Sequence, residues 1–372
     1  MVTKINADTS GGLKLNSDTS GTLELQSAGS TKLTVSSTGV NIPSIGAVAG
    51  LTSINSGQVG GRRNAIYNPT FSLNQRHGTS ANTTMNTYAM DRWRSFGGGS
   101  GQAHSWTTRS DAGEGDGYYS RFQRPADNTA TATMGIAQGL ENYDSQHFAG
   151  KEVTLSFRAR GGANWSPSSG NVGFVLVGGE GTDQSPVGMT TAETIIGITA
   201  GIPQGGGFVQ YSGTATVPAD KTQLAIQMTW NTVGTAGAND YWDLREVQLE
   251  LGGTVTAFEQ KTYSQELALC ERYFQLVPQV GLAYAGATTT VDTCCPFRTS
   301  MRASATITAI AAITVTNVTA ADFAQSSANI TGTVSAGASS VHLRLGNFSG
   351  LTVSDMYLCR NGDMNVAAAA EL

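Results

Sequence analysis

The chain has 372 residues, a net charge of −5 from 22 Lys and Arg against 27 Asp and Glu, and 46 glycines. Only 13% of its residues are charged, about half the usual share, and no basic stripe marks a nucleic-acid surface. No run approaches the roughly 18 apolar residues of a membrane span, and no signal-peptide pattern is seen, so synthesis and folding in a cytoplasm are expected.

In chain order, the first feature is a ten-residue phrase in three near-copies: DTSGGLKLNS (8–17), DTSGTLELQS (18–27) and AGSTKLTVSS (28–37). Leu13, Leu23 and Leu33 share one position of the period, and Leu15, Leu25 and Val35 another. Each unit reads as a turn followed by a short strand with one apolar face. Two apolar residues per unit are too few to bury themselves, so the expected partner is the same segment of another copy. Residues 38–61 form a connector. Ile45, Val48, Leu51 and Ile54 recur every third residue there, which fits a short helix or an extended Gly-punctuated linker.

From Arg62 the texture changes to strands separated by turns. KEVTLSFRAR (151–160) alternates with Val153, Leu155, Phe157 and Ala159 on one face. NVGFVLVG (171–178) and QLAIQMTW (223–230) read as strands too. In YWDLREVQLEL (241–251) the apolar parity switches from Trp242 and Leu244 to Val247, Leu249 and Leu251, which predicts a β-bulge near Arg245 or Glu246. Trp93, Trp230 and Trp242 lie in these strand patterns as core residues. TYSQELALCERYFQ (262–275) predicts a helix, with Thr262 and Gln265 at capping-box spacing, Leu267, Cys270 and Phe274 on one face, and Pro278 as its stop. It is the expected hinge between two domains. Residues 276–372 return to short β phrases, rich in Ala and Thr, whose thin core favours packing against symmetry mates. The four cysteines (Cys270, Cys294, Cys295, Cys359) fit buried free thiols better than disulfides, and adjacent Cys294 and Cys295 would point to opposite faces of a strand.

GRRNAIYNPTFSLNQRHGTS (61–80) with YAMDRW (88–93) resembles the opening of a sandwich domain of phage and prophage tail-fibre proteins. REVQLELGGTVTAFEQKTYSQELALCERYFQ (245–275) resembles that family's closing segment, and these two stretches bracket residues 62–275. CPFRTSMRASATIT (295–308) resembles the start of the small β domain that follows, and the D-T-S-G repeats look like fibre-shaft repeats. The resemblance implies a virion protein, a homotrimer and a sandwich akin to carbohydrate-binding modules. It carries over no ligand residues, and residues 95–235 depart from the family pattern.

Sugar sites stack aromatic rings on pyranose faces and set amides and carboxylates on hydroxyls. The loop-like aromatics are Trp106, Tyr118, Tyr119, Tyr143 and Trp165, each weighed against a role capping the core. Asp111, Glu114 and Asp116 in SDAGEGDGYY could offer oxygen ligands to calcium, but EF-hand spacing is absent and a solvated acidic turn fits better. Asp243 matches a place where related sandwiches sometimes hold calcium, and a structural hydrogen bond is the first expectation there. His77, His104, His147 and His342 lack metal-ligand spacing, and no carboxylate pair, nucleophile elbow or P-loop stands out.

The expectation is therefore an all-β chain: a trimeric β-repeat stalk (1–42), a linker or short helix (43–61), a jelly-roll-like β-sandwich (62–261), a connecting helix (262–275) and a small C-terminal β-sandwich (276–372). Leu13, Leu15, Leu23, Leu25, Leu33 and Val35 would form the trimer core. Three repeats make a short stalk, leaving most of the protein as head. The expected function is that of a non-enzymatic, cofactor-free and metal-free homotrimeric phage tail fibre. It would sit on the virion tail with other tail or baseplate proteins, after assembly in the host cytoplasm, and bind a host surface glycan or lipopolysaccharide. Nucleic acid and membrane insertion are not expected. The alternatives are a capsid fibre, decoration or baseplate protein without a receptor role and, behind these, a polysaccharide depolymerase.

Overall fold

The computed structural model describes residues 23–27, 30–36, 39–41, 53–54, 57–58, 63–99, 103–111, 117–277, 281–317, 322–324, 330–359 and 366–372. The chain forms two compact units, 1–52 and 53–372. In the first, β1 (Leu23–Ser27), β2 (Ser30–Ser36) and β3 (Gly39–Asn41) make an antiparallel three-stranded sheet. Its register sets Leu23 opposite Val35 and Leu25 opposite Leu33. The second and third repeats thus pair with each other within the chain. Leu13 and Leu15 lie outside the described residues, as does the connector helix up to residue 52. Ile54 belongs to a strand: β4 (Ser53–Ile54) pairs with β5 (Gly57–Gln58) in a small hairpin.

The larger part of the second unit is a two-sheet sandwich. Its strands are β6 (Tyr88–Met90), β7 (Trp93–Gly97), β8 (Ser105–Asp111), β9 (Gly117–Gln123), β10 (Thr133–Gly139), β11 (Glu152–Gly161), β12 (Asn171–Gly179), β13 (Glu193–Gly201), β14 (Val209–Thr216), β15 (Gln223–Asn231) and β16 (Tyr241–Leu251). A short helix α1 (Asn142–Ser145) follows β10. One sheet runs β13-β12-β15-β10-β7-β6 and the other β14-β11-β16-β9-β8. The predicted alternation is what packs them. Val153, Leu155, Phe157 and Ala159 of β11 and Trp242, Leu244, Val247 and Leu249 of the neighbouring β16 line one face of their sheet and share one core with Phe174, Leu176, Ile226 and Met228 of the other sheet. The predicted bulge is present: pairing of β11 with β16 slips between Ser156 and Arg158, and Glu246 adopts φ 55°. That left-handed backbone is strained for a non-glycine residue, and it returns the apolar parity of β16 to the core face.

The core centre is aromatic. Phe122 stacks on Trp242 at 4.6 Å, Trp230 meets Trp242 edge-on at 5.1 Å, and Phe157 stacks on Phe174 at 3.6 Å. The two sequence stretches that carry the tail-fibre resemblance interlock. Asn64 donates from its backbone to the Glu259 carboxylate (2.6 Å) and from its amide to the Val247 carbonyl (3.0 Å). Asn68 N–H donates to Glu266 (2.5 Å), and its side chain ties the Leu73 backbone to Asp91. Those motif residues are a clasp that closes the sandwich.

Helix α2 (Tyr263–Glu271) begins with the full capping box: Thr262 accepts from Gln265 N–H and the Gln265 side chain accepts from Thr262 N–H. It ends four residues earlier than its spacing suggested. Phe274 lies instead in β17 (Phe274–Val277). The remaining strands are β18 (Gly281–Ala287), β19 (Thr290–Pro296), β20 (Thr306–Ala309), β21 (Thr314–Thr316), β22 (Asp322–Ala324), β23 (Ile330–Ala336), β24 (Ser340–Leu345), β25 (Met356–Cys359) and β26 (Val366–Ala369). They form a seven-stranded sheet, β22-β21-β25-β18-β19-β24-β23, and a three-stranded one, β17-β26-β20. Cys295 is buried and Cys294 exposed, as their strand parity required, while Cys270 is buried and Cys359 half-buried; all four are free thiols.

Residues beyond α2 tie the C-terminal strands to the sandwich. Beyond β26, Glu371 bridges Arg92 (2.9 Å) and Arg76 (2.8 Å) of the sandwich. The Arg92 guanidinium lies 3.5 Å over the Tyr273 ring. Arg272 grips the Glu141 carboxylate at 3.0 and 2.9 Å, and Tyr273 donates to it at 2.5 Å. Burial works to raise the Glu141 pKa, but these partners outweigh it and hold the carboxyl below its ordinary value.

Candidate functional site

Of the five loop-like aromatics, the structure offers ring surface at two. Trp106 and Trp165 are 1% and 2% exposed. Trp106 sits at 4.7 Å from Phe122 and donates to Ser120; Trp165 packs on Trp242. Tyr119 is buried under Phe208 at 5.8 Å. These three match the core-capping alternative. Trp106 misled because the polar residues flanking it on β8 face away from the core, which is the ordinary alternation of a strand.

Tyr118 is 49% exposed at the start of β9, and Tyr143 is 86% exposed on α1. They line separate clefts. Tyr143 shares one of about 470 Å³ with Arg63, Asp144, Gln146 and His147. Tyr118 shares one of about 240 Å³ with Thr70, Ser72, Glu246, Phe258, Lys261 and Tyr263. The Tyr118 cleft has the richer chemistry. It brings a second exposed ring, Tyr263 (64%), together with a carboxylate, an ammonium and hydroxyls. The elements explain why they meet. The bulge swings Glu246 out of β16, and the clasp between residues 64–68 and 259–266 brings the capping turn of α2 alongside. Lys261 is fixed by the Ile66 carbonyl (3.0 Å) and Glu266 (3.5 Å). The sequence reading missed Phe258, Tyr263, Lys261 and Glu246. The signal for the first three was the T-A-F-E-Q-K-T-Y run (256–263), read only as a turn and a helix start, while Glu246 was read only as a bulge position.

At Glu246 this cleft meets the outer face of the five-stranded sheet. Cross-strand registers set Arg160 opposite Asp243, Asp243 opposite Arg121, and Arg158 opposite Arg245. Asp243 is fully buried; its carboxylate accepts two bonds from Arg121 (2.8 and 2.9 Å) and one from Arg160 (2.8 Å). That is the structural role expected first for Asp243. Burial disfavours the Arg121 cation, but the hydrogen bonds and charge of Asp243 outweigh it and its pKa is raised. The guanidiniums lie on rings: Arg121 is 3.5 Å over Tyr241, Arg160 4.5 Å and Arg245 4.2 Å over Phe208. Of the acidic turn, Glu114 and Asp116 lie outside the described residues and Asp111 is placed by its backbone alone. Among the described residues, no cluster of three or more His, Cys, Asp or Glu is disposed to hold a metal ion.

No family model and no curated protein sequence matches the chain. Among solved structures it is similar to the enzymatically active domain of bacteriophage CBA120 tailspike protein 4, at 14% identity and TM-score 0.33, over 50% of this chain and 21% of that one. It is also similar to a CBM4 structure (16%, TM-score 0.32, 50% of this chain and 99% of that one). A third is the CBM22-1 xylan-binding domain from Paenibacillus barcinonensis (13%, TM-score 0.30, 48% and 94%). At these identities and scores the likenesses carry no argument about what this chain does.

Proposed function

We propose that the sandwich binds a glycan without cleaving it, and that the chain is a receptor-binding component of a phage tail fibre. The observation that carries the glycan reading is the Tyr118 cleft. It holds two exposed tyrosines, whose faces suit the apolar side of a pyranose, beside the Glu246 carboxylate, the Lys261 ammonium and the Thr70 and Ser72 hydroxyls. The virion role rests on the resemblance of residues 61–93 and 245–275 to tail-fibre sandwiches.

A homotrimer on the virion tail, alongside tail or baseplate proteins, completes this reading. Trimerisation would multiply a weak single site by avidity. It is supported by the repeats and by two exposed apolar cross-strand rows on the seven-stranded sheet, Leu282 with Leu358 and Tyr284 with Met356.

The test is an array of bacterial surface polysaccharides probed with the full chain and with Tyr118→Ala and Tyr263→Ala variants. Each substitution is expected to lower affinity about tenfold, in line with ~1.4 kcal/mol for a lost aromatic contact. Binding that both variants leave untouched would move the site elsewhere, with the Tyr143 cleft next. Release of reducing sugar ends from a bound polysaccharide would replace the binding role with that of a depolymerase.

A further inference from the structure

We infer that the outer face of the five-stranded sheet selects an acidic glycan, a polysaccharide whose repeat carries a carboxylate; this rests on the reading that the sandwich binds glycan. Five arginines share that face across β8, β9, β11 and β16: Arg109, Arg121, Arg158, Arg160 and Arg245. The acidic residues paired with them are Asp243 and Glu246, while Glu152 and Glu250 lie farther along the same face of β11 and β16. Among these paired groups the excess is positive, in a chain whose net charge is −5.

The fold bears local costs to keep this arrangement. Arg158 stands directly opposite Arg245, a like-charge cross-strand pair that destabilises a sheet. Glu246 is held in a left-handed conformation at φ 55°, with its carboxylate 3.2 Å from Arg245 and 3.7 Å from Arg158. Asp243 and the neighbouring rings hold the Arg121, Arg160 and Arg245 guanidiniums, Arg245 being buried, while Arg158, about a third exposed, donates to the Phe208 carbonyl (3.4 Å) and Arg109 is exposed. The planar guanidinium forks of the exposed Arg109 and the part-exposed Arg158 match a carboxylate in two-point contact, which an ammonium could not. The arrangement also leads into the Tyr118 cleft through Glu246, so a chain of sugars could place a ring on Tyr118 and its acid groups over Arg158 and Arg109.

The experiment is affinity electrophoresis of the full chain in gels containing polygalacturonate, alginate or hyaluronate, and in gels containing carboxyl-reduced polygalacturonate as the neutral match. Retardation by an acidic polymer and not by the reduced one is expected, weakening in 0.5 M salt. Arg109 is exposed and Arg158 about a third exposed, so their joint replacement by Gln should leave the fold intact. It is expected to weaken retardation about tenfold or more, through loss of charge-assisted hydrogen bonds. Equal retardation by the acidic and reduced polymers, sensitive to Tyr118→Ala, would overturn the acidic preference and leave the glycan reading standing. Acid-polymer binding indifferent to the double replacement would overturn the assignment of this face. Failure to bind any of these polymers or any glycan of the surface-polysaccharide array would sink both.

Discussion

Between residues 88 and 251 the core is built on tryptophan and phenylalanine, whereas between 277 and 370 it is built on alanine and valine. The first holds Trp93, Trp106, Trp165, Trp230 and Trp242 in one cluster. The second relies on Ala283, Ala285, Ala368, Val291, Val315, Val341 and Val366, with Tyr357 and Phe348 as its larger members. Hydrophobic stabilisation follows buried area, about 25 cal/mol per Å², so small side chains contribute less per residue. The C-terminal region makes up the difference by anchoring: Arg302 donates to the Ala370 and Glu371 carbonyls and bridges Asp183, while Glu371 reaches Arg92 and Arg76. The sandwich can thus stand on its core, whereas the later region leans on the sandwich.

The widest gap should come from truncating each core. Trp242→Ala is expected to cost about 4 kcal/mol and Val291→Ala about 2 kcal/mol, read by denaturant unfolding; equal costs would erase the contrast. Next comes the anchor. Glu371→Gln leaves the buried Arg92 without its carboxylate and is expected to cost about 3 kcal/mol. Limited proteolysis should then cut the C-terminal region before the sandwich, and simultaneous loss of both would mean that the anchor supports them equally.

Acidity offers a gentler probe at the same junction. Burial raises the Asp91 pKa from 3.8 to about 6, although Arg76 and hydrogen bonds from Gln75 act to lower it. The folded value exceeds the unfolded one, so the folded state binds the extra proton between them. Its stabilising contribution is full below pH 3.8 and is lost as pH rises through about 6. Asp91→Asn should flatten that slope in unfolding curves taken from pH 4 to 7. The smallest effect is expected at the exposed rows. Leu282→Ser with Leu358→Ser should change protomer stability by under about 0.5 kcal/mol. The same pair should lower the mass seen by light scattering if copies meet on that face, and an unchanged mass would separate the patch from assembly.

Strand alternation at 151–160, the bulge at Glu246 and the cap at Thr262 were legible because each is a local rule written in neighbouring residues. The C-terminal end of α2 was not. Phe274 keeps helical spacing with Cys270, and only its pairing with Ala369, far along the chain, makes it a strand. Trp106 and Trp165 read as loop aromatics because their neighbours are polar or small, and the core that covers them comes from other strands. The Tyr118 cleft was half legible. One ring was named, but its partners lie on a distant turn brought in by the Asn64 and Asn68 clasp.

Arg92 and Glu371 are 279 positions apart. At the usual 5–20 residues per second, a ribosome emits the carboxylate roughly 15–55 s after the guanidinium. The Tyr273 ring follows about two-thirds of the way through that interval and the anion only at its end, so until then Arg92 lacks its charge partner and must stay wet. The ion pair therefore also times the molecule: the junction between the sandwich and the C-terminal strands is sealed late, and a chaperone or protease has that long to inspect it.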